Sequence, residues 1–361
     1  MNSRLLRPTL IATLLFLTVG FVFVSPRGPA SHAQGGQVQV TAADPMSASQ
    51  GTVNLNVKVT GKVTASIVAQ TPSAGISHFD AGVRANENND FDLAIEEFTM
   101  AIEINAHPLI RVRSKQLLRP TKLPPTQDQN TVTVSDPFTA AAYANRCFAR
   151  YRKGDFTEAV ADCDQAIRIN PRLAMGYLNR GAARRAVGDA AAALVDLNKA
   201  IEINPNLTDA LDCRGDLRKH LGDVDGALSD LNRAIVLAPG NKWAYFHRGH
   251  ARIAKRDLDG AVADFNQAIK LQQDFAVAYH GRGIARVLKN QLEQAIGDFS
   301  HALELNPKLA LAYENRGFAF LIQGKEAEAM QDFTRCLTID PSLKEDLDKR
   351  VKVAKELGLI R

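Results

Sequence analysis

The sequence is poor in tryptophan and cysteine, and it lacks the motifs of common catalytic and metal centres. Its 361 residues include one tryptophan and four cysteines, and no cysteine or histidine spacing matches a zinc site. It contains no HExxH motif, no phosphate-binding GxxxxGK[ST] loop, no GxSxG motif and no glycine fingerprint after a predicted strand. These absences predict a protein that is not an enzyme and that uses neither a metal nor a cofactor.

Long apolar runs are also missing, with one exception near the N-terminus. Residues 10–24 form an apolar run of about 15 residues, shorter than the roughly 20 of a membrane-spanning helix. This run follows Arg4 and Arg7 and precedes small residues up to Ala33, an order typical of a secretory signal peptide. We predict that residues 1–33 are a signal peptide and that the protein is exported to the periplasm or the extracellular space. An uncleaved membrane anchor at residues 10–24 is the alternative.

The excess of positive charge is small. The net charge is +5, and removal of residues 1–33, which hold three arginines and no acidic residue, would lower it to +2. Nucleic-acid-binding proteins usually carry a strong basic patch, which such a balance does not supply. We therefore expect no nucleic acid among the partners, and membrane contact only through an uncleaved N-terminal segment.

What the sequence does contain is one pattern repeated every 34 residues. Six copies lie end to end from Ala140 to Leu343. Position 8 is small in every copy: Cys147, Gly181, Gly215, Gly249, Gly283 and Gly317. Position 20 is always alanine: Ala159, Ala193, Ala227, Ala261, Ala295 and Ala329. A fixed period of this length predicts stacked helical hairpins, a glycine–alanine close approach between the two helices of each hairpin, and a protein that binds other molecules.

These columns resemble the tetratricopeptide repeat family. In the second copy the matching residues are Tyr177, Gly181, Ala193, Leu197, Ala200 and Pro205. A weaker copy lies upstream at residues 75–108. The resemblance implies an all-α fold, namely a right-handed α-solenoid of helix-turn-helix repeats (six contiguous in 140–343 plus one outlying) with a capping helix in residues 344–361. It also implies a non-catalytic scaffold or adaptor that binds a partner protein or peptide in a concave groove.

Arginine and aspartate occur together in all six copies, where the family usually has other residues. Position 7 is arginine: Arg146, Arg180, Arg214, Arg248, Arg282 and Arg316. Position 23 is aspartate: Asp162, Asp196, Asp230, Asp264, Asp298 and Asp332. Position 11 holds a second arginine in five copies. We predict an ion pair that joins the two helices of each repeat, with the second arginine reaching the next repeat; binding of an anionic ligand by an arginine column is the alternative.

The family's groove positions, carried over residue by residue, place an acidic step beside an aromatic and aliphatic trough. The predicted partner-binding residues are Asp209, Asp212, Asp216, Trp243, Phe246, His250, His280 and Phe318. This composition favours a partner segment with apolar side chains and a nearby lysine or arginine. For Trp243 and Phe246, packing on the neighbouring repeat is the alternative interpretation.

Two segments precede the regular repeats. Residues 34–74 are low in charge and contain an alternating stretch around Val53 to Val59, which predicts a linker with weak β character or a strand lent to a partner's sheet. Residues 109–139 are a basic insertion with prolines. Its candidate contacts to an anionic polymer or membrane surface, the alternative function, are Arg111, Arg113, Lys115, Arg119 and Lys122.

Two of the four cysteines fall in columns that face each other in the predicted hairpin. Cys147 is at position 8 and Cys163 at position 24 of the first regular copy. A disulfide between them is one interpretation, and two small buried thiols are the other.

Overall fold

The computed structural model describes residues 52–58, 64–70, 73–105, 110–112 and 137–359. Within these ranges it contains fifteen α-helices, one 3-10 helix and three β-strands. They belong to two compact units that divide between Pro205 and Asn206. The repeats are helical throughout, which confirms the predicted fold class.

The first unit contains a small sheet and three helical hairpins. Strands β1 (Thr52–Lys58), β2 (Thr64–Gln70) and β3 (Ile110–Val112) form an antiparallel sheet in the order β1-β2-β3. The helices are α1 (Ser73–Glu87), α2 (Phe91–Asn105), α3 (Pro137–Lys153), α4 (Phe156–Ile169), α5 (Ala174–Ala186) and α6 (Ala190–Ile203). Each odd-numbered helix packs against the next one to form a hairpin.

The second unit contains four hairpins and a final helix. They are α7 (Thr208–His220), α8 (Val224–Leu237), α9 (Lys242–Ala254), α10 (Leu258–Leu271), α11 (Ala276–Leu288), α12 (Leu292–Leu305), α13 (Ala310–Ile322), α14 (Glu326–Ile339) and α15 (Lys344–Glu356). A 3-10 turn, Pro341–Leu343, joins α14 to α15. The bounds of α15 lie inside the segment expected to cap the array.

Every regular hairpin turns through a left-handed residue at position 15. Glycine fills it in four of them: Gly154, Gly188, Gly222 and Gly324, with φ between +79° and +100°. Asn290 and Arg256 fill it in the other two, with φ of +60° and +66°. Glycine adopts this conformation freely, whereas a residue with a β-carbon pays about 1–2 kcal/mol, so Arg256 is the strained member of the column.

Position 8 lies where the two helices of a hairpin come closest. A β-carbon added to Gly215 would lie 2.7 Å from Cγ of Leu231 and 3.3 Å from the carbonyl oxygen of Ala227. The predicted close approach of glycine at position 8 to alanine at position 20 is therefore confirmed, and the alanine contributes its backbone carbonyl to the contact. The side chain that fills the seam comes from position 24, which is leucine here and phenylalanine at Phe265 and Phe299.

The aspartate at position 23 joins the two helices of each regular repeat. In the third repeat, Arg214 donates from Nε and Nη2 to the Asp230 carboxylate at 2.8 and 2.6 Å. The same two-point contact recurs in all six repeats. Arg218, at position 11, donates to the same carboxylate at 2.9 Å. The prediction that the second arginine reaches the next repeat was therefore wrong, because one turn of helix separates the two arginines and both point at the aspartate of their own hairpin.

The first arginine, rather than the second, makes the contact between repeats. Arg248 Nη1 donates to Asn232 Oδ1 of the preceding repeat at 2.8 Å, and Arg316 Nη1 donates to Ser300 Oγ at 2.9 Å. The guanidinium of Arg248 also lies 5.5 Å from the ring centre of Tyr245. These donors are engaged within the array, which argues against the alternative of an arginine column that binds an external anion.

Candidate functional site

In the second unit, the first helices of consecutive hairpins contact one another, whereas the second helices share almost no contacts. An array packed in this way curves, with the more closely spaced first helices on its inner side. Positions 2, 5 and 9 of α7, α9 and α11 face that side, and we call their side chains the inner wall. The inner wall consists of Asp209, Asp212, Asp216, Trp243, Phe246, His250, Val277, His280 and Ile284.

The aspartates of α7 differ in what they bind. Asp212 is buried, and its Oδ1 lies 2.8 Å from Nδ1 of His247 on α9. Asp216 is also buried and accepts a hydrogen bond from Lys219 Nζ at 2.7 Å. Asp209 is exposed and has no partner among the described residues. Its pKa is raised, first by partial desolvation in the crowded wall and then by repulsion from Asp212.

The aromatic residues of the inner wall form one cluster. The Trp243 ring lies edge-to-face with Phe275 at 4.7 Å and with Phe246 at 5.7 Å between centres. Phe246 in turn contacts His250 at 4.7 Å. Trp243 and Phe246 are both half-buried. They therefore pack on the neighbouring repeat, as the alternative interpretation of the sequence expected, and they also keep part of their surface accessible. The Trp243 indole nitrogen is buried without a hydrogen-bond acceptor in the described part of the chain, which costs about 1–3 kcal/mol.

The histidines of this region have divergent pKa values. Burial lowers the pKa of His247, but Asp212 and Asp216 outweigh this effect, and the pKa is raised overall. Burial lowers the pKa of His280 to about 4. The pKa of His250 is well below its usual range because of burial and then of neighbouring cations. At neutral pH, His250 and His280 are therefore uncharged parts of the inner wall.

Phe318 does not belong to an accessible surface, in contrast to the sequence prediction. It is 1% exposed, packs on Phe333 at 4.8 Å, and lies 4.0 Å from the guanidinium of Arg350. Arg350 belongs to α15 and also donates a hydrogen bond to the buried carboxylate of Glu314. The final helix therefore covers Phe318 and Glu314 of the sixth repeat.

Sequence reasoning did not single out His247 or Arg350 as partners of groove residues. The signal that it missed is a contact from position 5 of one first helix to position 6 of the next, 35 residues later. It occurs as Asn179 Nδ2 to the Ala144 carbonyl (3.0 Å), His247 to Asp212 (2.8 Å) and Asn315 to His280 (2.9 Å). Arg350 stands 34 residues after Arg316, so it falls at position 7 of the same period, and it bonds Glu314 at position 5 of the preceding first helix.

Cys147 and Cys163 are joined by a disulfide in the first unit. Their α-carbons are 5.5 Å apart, within the normal range for a disulfide, and both side chains are fully buried. The bond takes the place of the glycine–leucine or glycine–phenylalanine seam of the other repeats.

Most residues of the basic insertion and the N-terminal segment lie outside the described residues. Arg111 is described only as part of β3, opposite Val68 of β2. Arg113, Lys115, Arg119, Lys122 and residues 1–33 lie outside the described ranges. None of the helices within those ranges is both long and apolar enough to span a membrane, and they hold no group of three or more metal-ligating side chains.

The comparisons with known proteins agree on the repeats. Tetratricopeptide repeat models match residues 140–173, 244–275 and 310–343, and a TPR repeat model matches residues 283–324. A tetratricopeptide repeat protein from Parabacteroides merdae is similar in structure, with a TM-score of 0.55, 18% identity, and coverage of 78% of this chain and 99% of that one. The complex Cut9–Hcn1 of the APC/C gives a TM-score of 0.55 at 14% identity, covering 74% of this chain and 54% of that one. No curated protein is significantly similar in sequence.

Helical hairpins that stack through small-residue seams with a 34-residue period define an α-solenoid repeat protein. The kind of repeat is identified by the left-handed turn, by the glycine and alanine columns and by the matching repeat models. The repeats of residues 140–343 are tetratricopeptide repeats.

Proposed function

We propose that the protein is a non-catalytic scaffold that binds a peptide segment of a partner protein on the inner wall of its second unit. Tetratricopeptide repeats support protein–protein interaction in general. The observation that carries the finer proposal is the aromatic cluster of Trp243 and Phe246, which is packed from behind by Phe275 yet only half-buried.

Such a cluster has the properties of an interface anchor. Its rings are held by edge-to-face contacts, so little side-chain entropy remains to be lost when a partner covers them. Aromatic anchors of this kind contribute roughly 2 kcal/mol or more each to binding. The neighbouring Val277 and Ile284 extend the apolar surface along the first helices. The inner wall therefore suits a segment with apolar side chains.

Export from the cytoplasm is part of the same proposal. The disulfide between Cys147 and Cys163 supports it, because such bonds persist in oxidising compartments and are rare in the cytosol. The order of residues in segment 1–33 points the same way.

Affinity capture from the native cell envelope tests the proposed surface. We expect the double variant Trp243→Ala/Phe246→Ala to lose the partner that the unaltered protein retains. The variant Val277→Lys should lose the partner as well. It leaves both aromatic rings unchanged, so it tests the same surface even if the double variant unfolds. The control Val236→Ala/Leu237→Ala removes two exposed apolar side chains from α8 and should retain the partner. Retention by both inner-wall variants, with unchanged helix content, would mean that this surface is not the binding site.

A further inference from the structure

The inner wall leaves one carboxylate without a cation. Within the second unit, Asp212 is bound by His247, Asp216 by Lys219, and Glu314 by Arg350. Asp209 has no such partner among the residues that the structure describes. Its charge is therefore open to a ligand, and a cation placed there would offset the desolvation and the repulsion from Asp212 that raise its pKa.

An aromatic ring lies on the neighbouring helix at the same level as this carboxylate. Asp209 and Trp243 both hold position 2, on α7 and α9, and the two helices are in contact. The bond from Asp212 to His247 joins these helices one turn further along, and the His247 ring lies 5.9 Å from the Trp243 ring. First helices that pack at the usual 8–10 Å between axes leave room for one long side chain to lie across them.

The same unit contains an arginine that contacts both an acidic side chain and an aromatic ring. The guanidinium of Arg350 is held by the carboxylate of Glu314 and lies 4.0 Å from the centre of the Phe318 ring. Glu314 is at position 5 of α13 and Phe318 at position 9. An acid and an aromatic ring on one first helix thus contact the same arginine, which also lies 3.5 Å from Asn315 Oδ1.

From these observations we infer that the partner segment is anchored by an arginine, whose guanidinium binds the Asp209 carboxylate and stacks on Trp243. This inference rests on the proposed function and names the chemistry of the segment that the inner wall accepts. Arginine fits better than lysine, because its planar fork can give two hydrogen bonds to one carboxylate while its face covers an aromatic ring. The adjoining rings and aliphatic side chains, Phe246, Val277 and Ile284, accept the apolar residues beside that arginine.

The test measures the fluorescence of Trp243, which is the only tryptophan in the chain and therefore reports binding at this site. The full-length protein is titrated with capped heptapeptides of alanine and two leucines whose central residue is arginine, lysine or citrulline, and tryptophan emission is recorded. We expect saturable binding of the arginine peptide and about tenfold weaker binding of the citrulline peptide, which has the same shape without the charge. Asp209→Asn should abolish the difference between these two peptides. The matched control Glu293→Gln, an exposed acid on α12, should leave it unchanged.

Four results would overturn the inference. Arginine and citrulline peptides that bind equally to the unaltered protein would show that apolar contacts alone hold the segment, which leaves the proposed function intact. A difference that persists in Asp209→Asn would place the charge recognition elsewhere. Emission that changes with the protein's own concentration, and no longer does so in Asp209→Asn, would identify the occupant as a second copy of this chain. If no peptide alters the emission, the arginine anchor is wrong, and the capture experiment decides the proposed function separately.

Discussion

Removal of the aspartate that joins the two helices of a repeat is the perturbation whose effect the structure defines best. Asp230 lies between Arg214 and Arg218 and accepts three hydrogen bonds from them, at 2.8, 2.6 and 2.9 Å. We consider the double-mutant cycle formed by Arg214→Met and Asp230→Ala in the full-length chain. If these contacts hold the hairpin together, each substitution should lower the free energy of unfolding, and the two effects should not add.

The expected magnitude follows from burial. The Asp230 side chain is 6% exposed, whereas Arg214 is 14% and Arg218 is 26% exposed. Loss of one partner from a buried ion pair costs about 3–5 kcal/mol, and we expect the lower end, about 3 kcal/mol, for Asp230→Ala because both stranded guanidinium groups reach water. Arg218 can still bind Asp230 in the Arg214→Met variant, so we expect a coupling energy of about 2 kcal/mol.

Urea unfolding followed by helical circular dichroism measures all four corners of the cycle. An exposed pair of the same length supplies the control: Lys255 and Asp225 are 2.7 Å apart, with 55% and 83% of their side chains exposed. Its cycle, Lys255→Met with Asp225→Ala, should give a coupling below about 0.5 kcal/mol. Equal couplings for the two pairs would refute the view that burial gives the Arg–Asp contact its strength.

Three other predictions follow from the seams and the inner wall. Gly215→Ala should destabilise the protein by about 1–3 kcal/mol, because the added carbon collides with the neighbouring helix. Gly297→Ala, whose added carbon meets nothing within 4 Å, should stabilise it by about 0.5–1 kcal/mol. Equal effects of the two substitutions in urea unfolding would contradict the close approach of the helices at position 8. Replacement of Cys147 and Cys163 by serine should cost about 3 kcal/mol, the value for a closed loop of this length, and thiol titration of the denatured unaltered protein should find two fewer thiols than after reduction. Folding lowers the pKa of His280 from 6.5 to about 4, so as the pH falls the unfolded chain binds a proton before the folded one does. The free energy of unfolding should therefore drop as the pH falls from 6.5 towards 4. The drop between pH 7 and pH 5 should be smaller in the variant His280→Gln.

The repeat period was sufficient to predict the hairpins, because each column reports a local requirement. Glycine at position 8 reports the close approach of two helices, and the left-handed residue at position 15 reports the turn. Proline at position 32 proved less essential than the pattern indicated. Gln273 replaces it in the fourth repeat, yet Gln272 before it is still extended, with φ of −145° and ψ of 109°. The helix therefore ends at the same position of the repeat without a proline after it.

Side-chain partners were harder to predict than helices. The period places Arg214 and Arg218 on one face of α7, but the angle between α7 and α8 decides that both meet Asp230. Phe318 occupies a groove position by spacing, and only the position of α15 shows that it is covered. For Asp212, spacing gave the location, whereas its ion pair depends on His247 of the next first helix. The pair of Asp216 and Lys219, by contrast, lies within α7 at a spacing of three residues.

The final helix α15 keeps the period of the first helices, since Arg350 stands 34 residues after Arg316, and its Leu347 and Ala354 pack in one cluster with Phe318 and Phe333 of the sixth repeat. A duplicate of the sixth repeat inserted between Leu343 and Lys344 would present to α15 the same residues that the sixth repeat presents now. Its aspartate at position 23 would stay with its own arginine, while its glutamate at position 5 would take over Arg350. The array could thus be lengthened by whole modules, and with it the surface that we propose binds a partner segment.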